Sequence, residues 1–332
     1  CQDTGLVIVF IEIGQEVRFE GGFLEEAINL GVKHAYEEAF LRKSIVQDPL
    51  FNRANTKTNT PAVIHQKIVP GRDVKITVVP KGGGCENMSY FKMLKPSDGI
   101  EGVVDFVVHC VEQSGPNPCP PVYVGVGIGG TMEKSALLAK EALLKPVLKI
   151  EDLQQQAKES QIANLELQIY EKIQNLSIGT HNLGGDYTTF AVGIKTYPCH
   201  IASLPVSVTI NCHAARHATI TLPEEDIYFE EFVQDIFKPP FITIDEPKKT
   251  IKKVTLPLKK EDIVLLKAGE KIYLNGYLYT ARDAAHKKIV ETLKRGEKLP
   301  FDLKGATIYY VGPCPSIGEE IIGPAGPTTS IR

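Results

Sequence analysis

No apolar run in this 332-residue chain approaches the roughly 18–20 positions a membrane-spanning helix needs, so a helical membrane protein is not expected. Neither charge sign dominates: 37 Lys and Arg stand against 40 Asp and Glu, a formal net charge of −3. Such a balance gives a nucleic-acid backbone no global electrostatic support, and no nucleic-acid partner is expected. Internal repeats and low-complexity tracts are absent, which argues against a repeat array. No CxxC pair occurs, so a local zinc ribbon or thioredoxin-type motif is unavailable. The seven cysteines, at 1, 85, 110, 119, 199, 212 and 314, are odd in number and irregularly spaced. That pattern argues against a disulfide framework, and any metal site must gather its ligands from distant parts of the chain. The starting residue Cys1 and the ending "AGPTTSIR" read as cuts, so the chain is expected to be a fragment of a longer, cytoplasmic protein.

What is present describes a soluble globular chain, 43% hydrophobic and 23% charged, long enough for two domains with their own cores. Residues 24–43 carry apolar positions at helical spacing. "DVKITVVP" reads as a strand running into the glycine turn "KGGGCENMS", and "GIEGVVDFVVHCVEQSG" as a helix closed by glycine. "VYVGVGIGG" is a strand entering a second glycine-rich turn, followed by a helix opened by Thr131. "TTFAVGIKTYP" and "PVSVTINC" read as buried strands. Composition shifts over 238–260, a Pro- and Lys-rich stretch that is the best domain boundary. It divides the chain into 1–240, a linker at 241–250, and 251–332. Beyond it, Asn275-Gly276 suggests a hairpin followed by a helix, and "ATIYYVGP" a further strand.

Several stretches carry chemistry. Gly125, Gly127 and Gly130 fit G-x-G-x-x-G after a strand, with Glu151 and Asp152 at the spacing of a dinucleotide fingerprint. The preceding "NPCPP" and the lack of a recognisable βαβ repeat speak against that reading and for a close-packed, anion-tolerant turn. Three glycines after a strand in "KGGGC" permit backbone to approach a ligand closely. Cys199, His200, Cys212, His213 and His217 lie within 19 residues, at intervals that suit no common zinc finger. Cys212 follows an apolar strand and precedes Arg216, which suits a thiolate ligand beside a cation. Arg282 stands near a helix start, and Thr328, Thr329 and Arg332 lie on a Gly/Pro turn where a carboxylate could be met bidentately.

In order, "CQDTG", "LRKSIVQDPL", "NTPAVIH", "KGGGCENMS", "NPCPPVYVGVGIGG", "HIASLPVSVTINCHAARH", "NGYLYTARDAAHKK" and "IGPAGPTTSIR" resemble the iron–sulfur (class I) fumarases and the related tartrate dehydratases, over nearly the whole chain. The resemblance implies an α/β (mixed α+β) fold, with a larger α-type catalytic domain followed by a smaller swivelling β/β/α-type domain. It implies a [4Fe–4S] cluster held by Cys1, Cys119 and Cys212, with one iron left open as a Lewis acid. Removing a proton beside a carboxylate builds negative charge there, and Arg42, Arg282 and Arg332 are the cations implied to meet it. Gln2, Gly83 and Gly84 are implied substrate contacts, Thr328 the base, and Asp3 with His200 the acid pair. Two departures stand out: Cys85 occupies a position where serine is expected, and the chain ends before a lysine the family uses.

The leading expectation is reversible hydration of fumarate to (S)-malate, with tartrate dehydration as the alternative on the same site. A C4 dicarboxylate substrate and a homodimer or α/β-type assembly follow from the resemblance. A nicotinamide-dependent oxidoreductase using "GVGIGG" and a non-catalytic cluster protein are the rivals from other classes.

Overall fold

A computed structural model describes residues 4–214, 216–222, 251–267, 270, 272–312 and 316. Its helices and mixed sheets are those of the expected α/β class. The linker placed at 241–250 lies outside the described residues, so the segments on either side are taken separately.

Two four-stranded sheets organise residues 4–222. In the first, β1 (Leu6–Gly14) is central, flanked by β2 (Val63–Val69) in parallel and β3 (Val74–Lys81) antiparallel, with β8 (Ala218–Leu222) beyond β3. Alternate residues Val7, Val9 and Ile11 pack against Val32 and Tyr36 of helix α1 (Leu24–Glu38). Sequence patterning misses β1 because "LVIVFI" is a continuous apolar run, which carries no period. Helix α1 stops at Glu38, short of the expected residue 43. A single-turn helix, α2 (Gly83–Glu86), forms inside the glycine stretch that follows β3.

The second sheet runs β4 (Tyr90–Leu94), β7 (Leu204–Asn211), β5 (Val122–Gly129), β6 (Thr189–Tyr197). Helices α3 (Gly99–Ser114) and α6 (Gln161–Gln174) bury Val103, Val104, Val107, Ile169 and Ile173 against it. Each such fully buried side chain contributes roughly 1.5–3 kcal/mol of transfer free energy. Helix α4 (Met132–Ala142) packs on β5 and β7. The chain crosses from β5 to its parallel neighbour β6 through α4, α5 (Ile150–Ala157) and α6. A βαβ crossover therefore surrounds β5, where none was recognisable in the sequence. Helices α5 and α6 had no counterpart in the pattern reading.

That crossover does not rescue a dinucleotide fingerprint. Gly125 and Gly127 lie within β5 rather than in the turn after it. A Cβ on Gly127 would stand 1.9 Å from the Ser135 carbonyl oxygen, and one on Gly125 2.2 Å from that of Ala139. These two glycines let α4 approach the sheet. Glu151 and Asp152 occupy the first turn of α5, not the end of a second strand where a ribose would be read.

In 251–312, β9 (Lys252–Thr255) pairs in parallel with β10 (Ile272–Asn275), with helix α7 (Lys260–Val264) between them in sequence. Likewise β11 (Tyr279–Thr280) pairs in parallel with β12 (Ile308–Tyr309), separated by helix α8 (Asp283–Lys294). The expected hairpin at Asn275-Gly276 does not form, since β10 and β11 each pair elsewhere. Gly276 has φ 130° and lies against Leu256, a conformation outside hairpin turn geometry. No helix among the described residues is long and apolar enough to cross a membrane.

Gly127→Ala should lower unfolding stability by about 3 kcal/mol, because backbone rather than a flexible side chain meets the new methyl. Chemical denaturation of the purified variant measures this, and a change under 1 kcal/mol would contradict the close approach of α4.

Candidate active site

The sheet carrying β5 and β7 brings two of the three implied ligands to one end. The antiparallel register sets Tyr123 opposite Asn211, so Cys119, just before β5, and Cys212, just after β7, leave the same sheet edge. Cys119 sits in the Pro-rich turn with φ 55°, and His213 Nδ1 lies 3.0 Å from its carbonyl oxygen. Helix α2 then places a third thiol there. Cys85 is 4% exposed, and its Sγ–H, which donates to the Pro118 carbonyl oxygen at 3.5 Å, is also within hydrogen-bond reach of Cys212.

The shared proton stays on Cys85. Its bond to Cys212, and burial next, push the Cys85 thiol far above its ordinary range. The same bond, donated by Cys85 and joined by the Ala214 N–H and His213, holds Cys212 down at about 6 against the opposing effect of burial. Arg216, the cation expected from the sequence, is exposed. Cys110, buried in α3 and pushed up by burial to about 12, is an inert core thiol.

Behind the thiols runs a chain of charge, with Lys81 buried and Glu86 and Lys140 half-buried, that sequence reasoning missed. Lys81 Nζ donates to the Ile210 carbonyl oxygen at 2.8 Å and lies 3.2 Å from Glu86 Oε2, while Lys140 Nζ reaches Glu86 Oε1 at 2.6 Å. Burial works to raise the Glu86 carboxyl, but Lys81 and Lys140 outweigh it and hold it below the ordinary carboxylate range. A lysine in a strand ending "VVPK" offers no sequence signal for such burial.

The segment beginning at Cys1 is anchored at Gly5. Its carbonyl oxygen accepts from Tyr36 Oη at 3.2 Å and from Asn59 Nδ2 at 3.0 Å. Asn59 is fully buried, and its Oδ1 also accepts from the Ser44 N–H at 2.6 Å, which ties in the loop bearing Arg42. Gly5 lies so close to Lys81 and Gly82 that a Cβ there would meet the Lys81 carbonyl oxygen at 1.9 Å. Thus the "CQDTG", "LRKS", "NTPA" and "KGGG" stretches join at one point.

The other expected residues divide. Gly83 is exposed and Gly84 half-buried on α2, next to Cys85. Arg42 is half-buried just beyond α1. Arg282 is half-buried at the N-cap of α8, its carbonyl oxygen accepting from the His286 N–H at 2.8 Å. His200 is exposed on the turn before β7, with Nδ1 accepting from the Ala202 N–H at 3.2 Å. It stands at the opposite end of β7 from Cys212, so within one chain it is not brought to the thiols. The same separation removes a zinc site joining Cys199 and His200 to Cys212 and His213. Cys1, Gln2, Asp3, Thr328 and Arg332 lie outside the described residues. Among the described residues, no group of three or more His, Cys, Asp or Glu converges as an ion site. The side chains at this end of the sheet, Cys212 against Cys85 and Cys119 leaving the same edge, are thiols of the kind an iron–sulfur cluster takes, and one is poised as thiolate.

Residues 1–221 match the family described as fumarate hydratase (fumerase), and residues 228–332 match the family described as fumarase C-terminus. Over 224 residues the chain is 46% identical to a Methanocaldococcus jannaschii protein named "Putative L(+)-tartrate dehydratase subunit alpha", covering 66% of this chain and 76% of that one. It is 34% identical to the L(+)-tartrate dehydratase subunit alpha of Escherichia coli (strain K12), over 69% of this chain and 74% of that one. It is 31% identical to fumarate hydratase 2 of Leishmania major over 100% of this chain, which spans 60% of that relative's length.

Cys85→Ala removes the donor that stabilises the Cys212 thiolate, whereas Cys85→Ser retains a hydroxyl donor. In cluster-free protein, alkylation of Cys212 followed against pH should show a midpoint near 6 in the parent. The midpoint should rise toward the ordinary thiol range in the alanine variant. Because the folded value lies below the unfolded one, ionised Cys212 adds stability above the unfolded pKa and loses it as pH falls through about 6. An unshifted midpoint in Cys85→Ala would contradict the pairing.

Proposed function

Because the chain belongs to the fumarate hydratase family, we propose that this hydro-lyase holds a [4Fe–4S] cluster at Cys1, Cys119 and Cys212 and interconverts fumarate and (S)-malate. When bound, the cluster supplies a Lewis-acidic iron for the substrate's hydroxyl and one carboxylate. The rest falls to the chain's own side chains. Arg42, Arg282 and Arg332 are assigned to the carboxylates, where fork-shaped donors meet charge that grows as the C3 proton leaves. Gly83, exposed on α2, leaves room for substrate against backbone. Thr328 is assigned as the base that takes the C3 proton, and Gln2 as a substrate contact. The departing hydroxyl takes a proton from Asp3, two residues ahead of the anchored Gly5. His200 is assigned as the other member of that acid pair.

The observation that carries fumarate over tartrate is chain organisation. Fumarate hydratase 2 of Leishmania major aligns with all of this chain, whereas the tartrate dehydratase relatives are named as alpha subunits and align with 66–69% of it. Tartrate dehydration stays as the second reading because the 46% identity over 224 residues belongs to that group. One added substrate hydroxyl separates the two, and an assembly of two or more chains accompanies either.

The test is anaerobic reconstitution, with iron and sulfide, of the full protein containing this chain, followed by paired assays. Fumarate hydration should exceed tartrate dehydration in kcat/KM, and Thr328→Ala should lower kcat by about 10²–10⁴-fold. Turnover on tartrate alone would replace the first reading with the second. A loaded cluster with no turnover on either acid would sink both.

A further inference from the structure

Lys81 is the largest side chain among the described residues with no exposed surface, and no motif assigned it a role. Its ammonium touches two of the segments that position the thiols, and its backbone touches a third. Nζ donates at 2.8 Å to the carbonyl of Ile210, two residues before Cys212. It pairs at 3.2 Å with Glu86, the residue after Cys85. The Lys81 carbonyl is the surface against which Gly5 packs, four residues after Cys1. Stability gives a weak account of this arrangement, since the lysine is buried while its Glu86 partner is half-buried, and replacing such a desolvated charge by an apolar group of similar volume is often neutral or stabilising. Packing alone would be served by methionine. What methionine cannot do is hold β7's end and helix α2 at a fixed distance through directed N–H bonds.

We propose that Lys81 is a positioning residue whose ammonium sets the placement of Cys212 and Cys85 that the cluster site requires. Glu86 is its counter-charge, steadied from the other side by Lys140 at 2.6 Å. The proposal rests on the reading of Cys119 and Cys212 as cluster ligands. A misplacement of about 1 Å at such a site is enough to cost function, and β7 passes any shift at Ile210 to Cys212 within two residues.

The test compares Lys81→Met, Lys81→Arg and the double variant Lys81→Met/Glu86→Gln in the full protein, with two readouts besides turnover. In cluster-free protein, phenylarsine oxide, which bridges neighbouring thiols, should join Cys85 and Cys212 in the parent, as read by peptide mass. Bridging should slow by about 10-fold or more in Lys81→Met and recover in part in Lys81→Arg. After anaerobic loading and one-electron reduction with dithionite, the cluster of Lys81→Met should show an altered electron paramagnetic resonance signal, and the unreduced cluster a lifetime in air shortened by a similar factor. Unchanged bridging, spectrum and lifetime in folded Lys81→Met would overturn the proposal. Should Lys81→Met not fold, the double variant carries the comparison, because it also removes the Glu86 charge that Lys81 balances. Misfolding of both, with Lys81→Arg folded and fully loaded, would mean a purely structural role and also overturn it. If the parent takes no cluster yet its bridging depends on Lys81, the cluster reading fails while the placement role stands.

Discussion

The antiparallel pairing of β5 with β7 is the constraint on which the site depends. With Tyr123 set opposite Asn211, residues 93 positions apart in sequence, Cys119 and Cys212, are delivered to one end of the sheet. A register slip of one residue would reverse the facing of every side chain on β7, most of which are buried. The core built by α3, α6 and the strands therefore holds the register, and the register holds the thiols. The same pairing sends His200 to the other end of β7.

Around that edge the chain gathers charge in a place where charge is costly. Lys81, Glu86 and Lys140 alternate in sign, and the pairing of each with the next offsets the desolvation each would otherwise suffer. The thiols beside them divide one proton unequally, with Cys212 the thiolate and Cys85 the donor. Cys85 is thus more than a replacement for an expected serine. It supports the thiolate form of its neighbour through a hydrogen bond that a hydroxyl could also make. A second ion pair, half-exposed Lys145 with buried Glu166, lies elsewhere on the sheet, where Glu166 also accepts from the Ile194 N–H at 2.6 Å. It secures α6 to β6 and does not touch the thiols.

Local signals misled where tertiary packing took over their residues. The glycines of "GVGIGG" resemble a phosphate loop only in spacing. In the folded chain, Gly125 and Gly127 exist because α4 presses its backbone onto β5. Asn275-Gly276 resembles a hairpin turn, yet parallel partners already claim both neighbouring strands. In each case a short-range pattern with several physical causes was decided by a contact from far along the chain.

The α/β class, the periodic helices α3 and α4, the strands flanking the glycine turns and, through ordered motifs, the family can all be read from the amino-acid order. These are legible because helical and strand periods, glycine turns and motif order are local properties. Long-range packing is what puts β1 inside a sheet, knots together the "CQDTG", "LRKS" and "NTPA" stretches through Gly5, Asn59, Ser44 and Tyr36, and buries Lys81 against Glu86. Burial of a lysine or a fully paired asparagine depends on what distant segments place around it. Nothing in the neighbouring residues encodes that, and it comes into being only when the two sheets assemble.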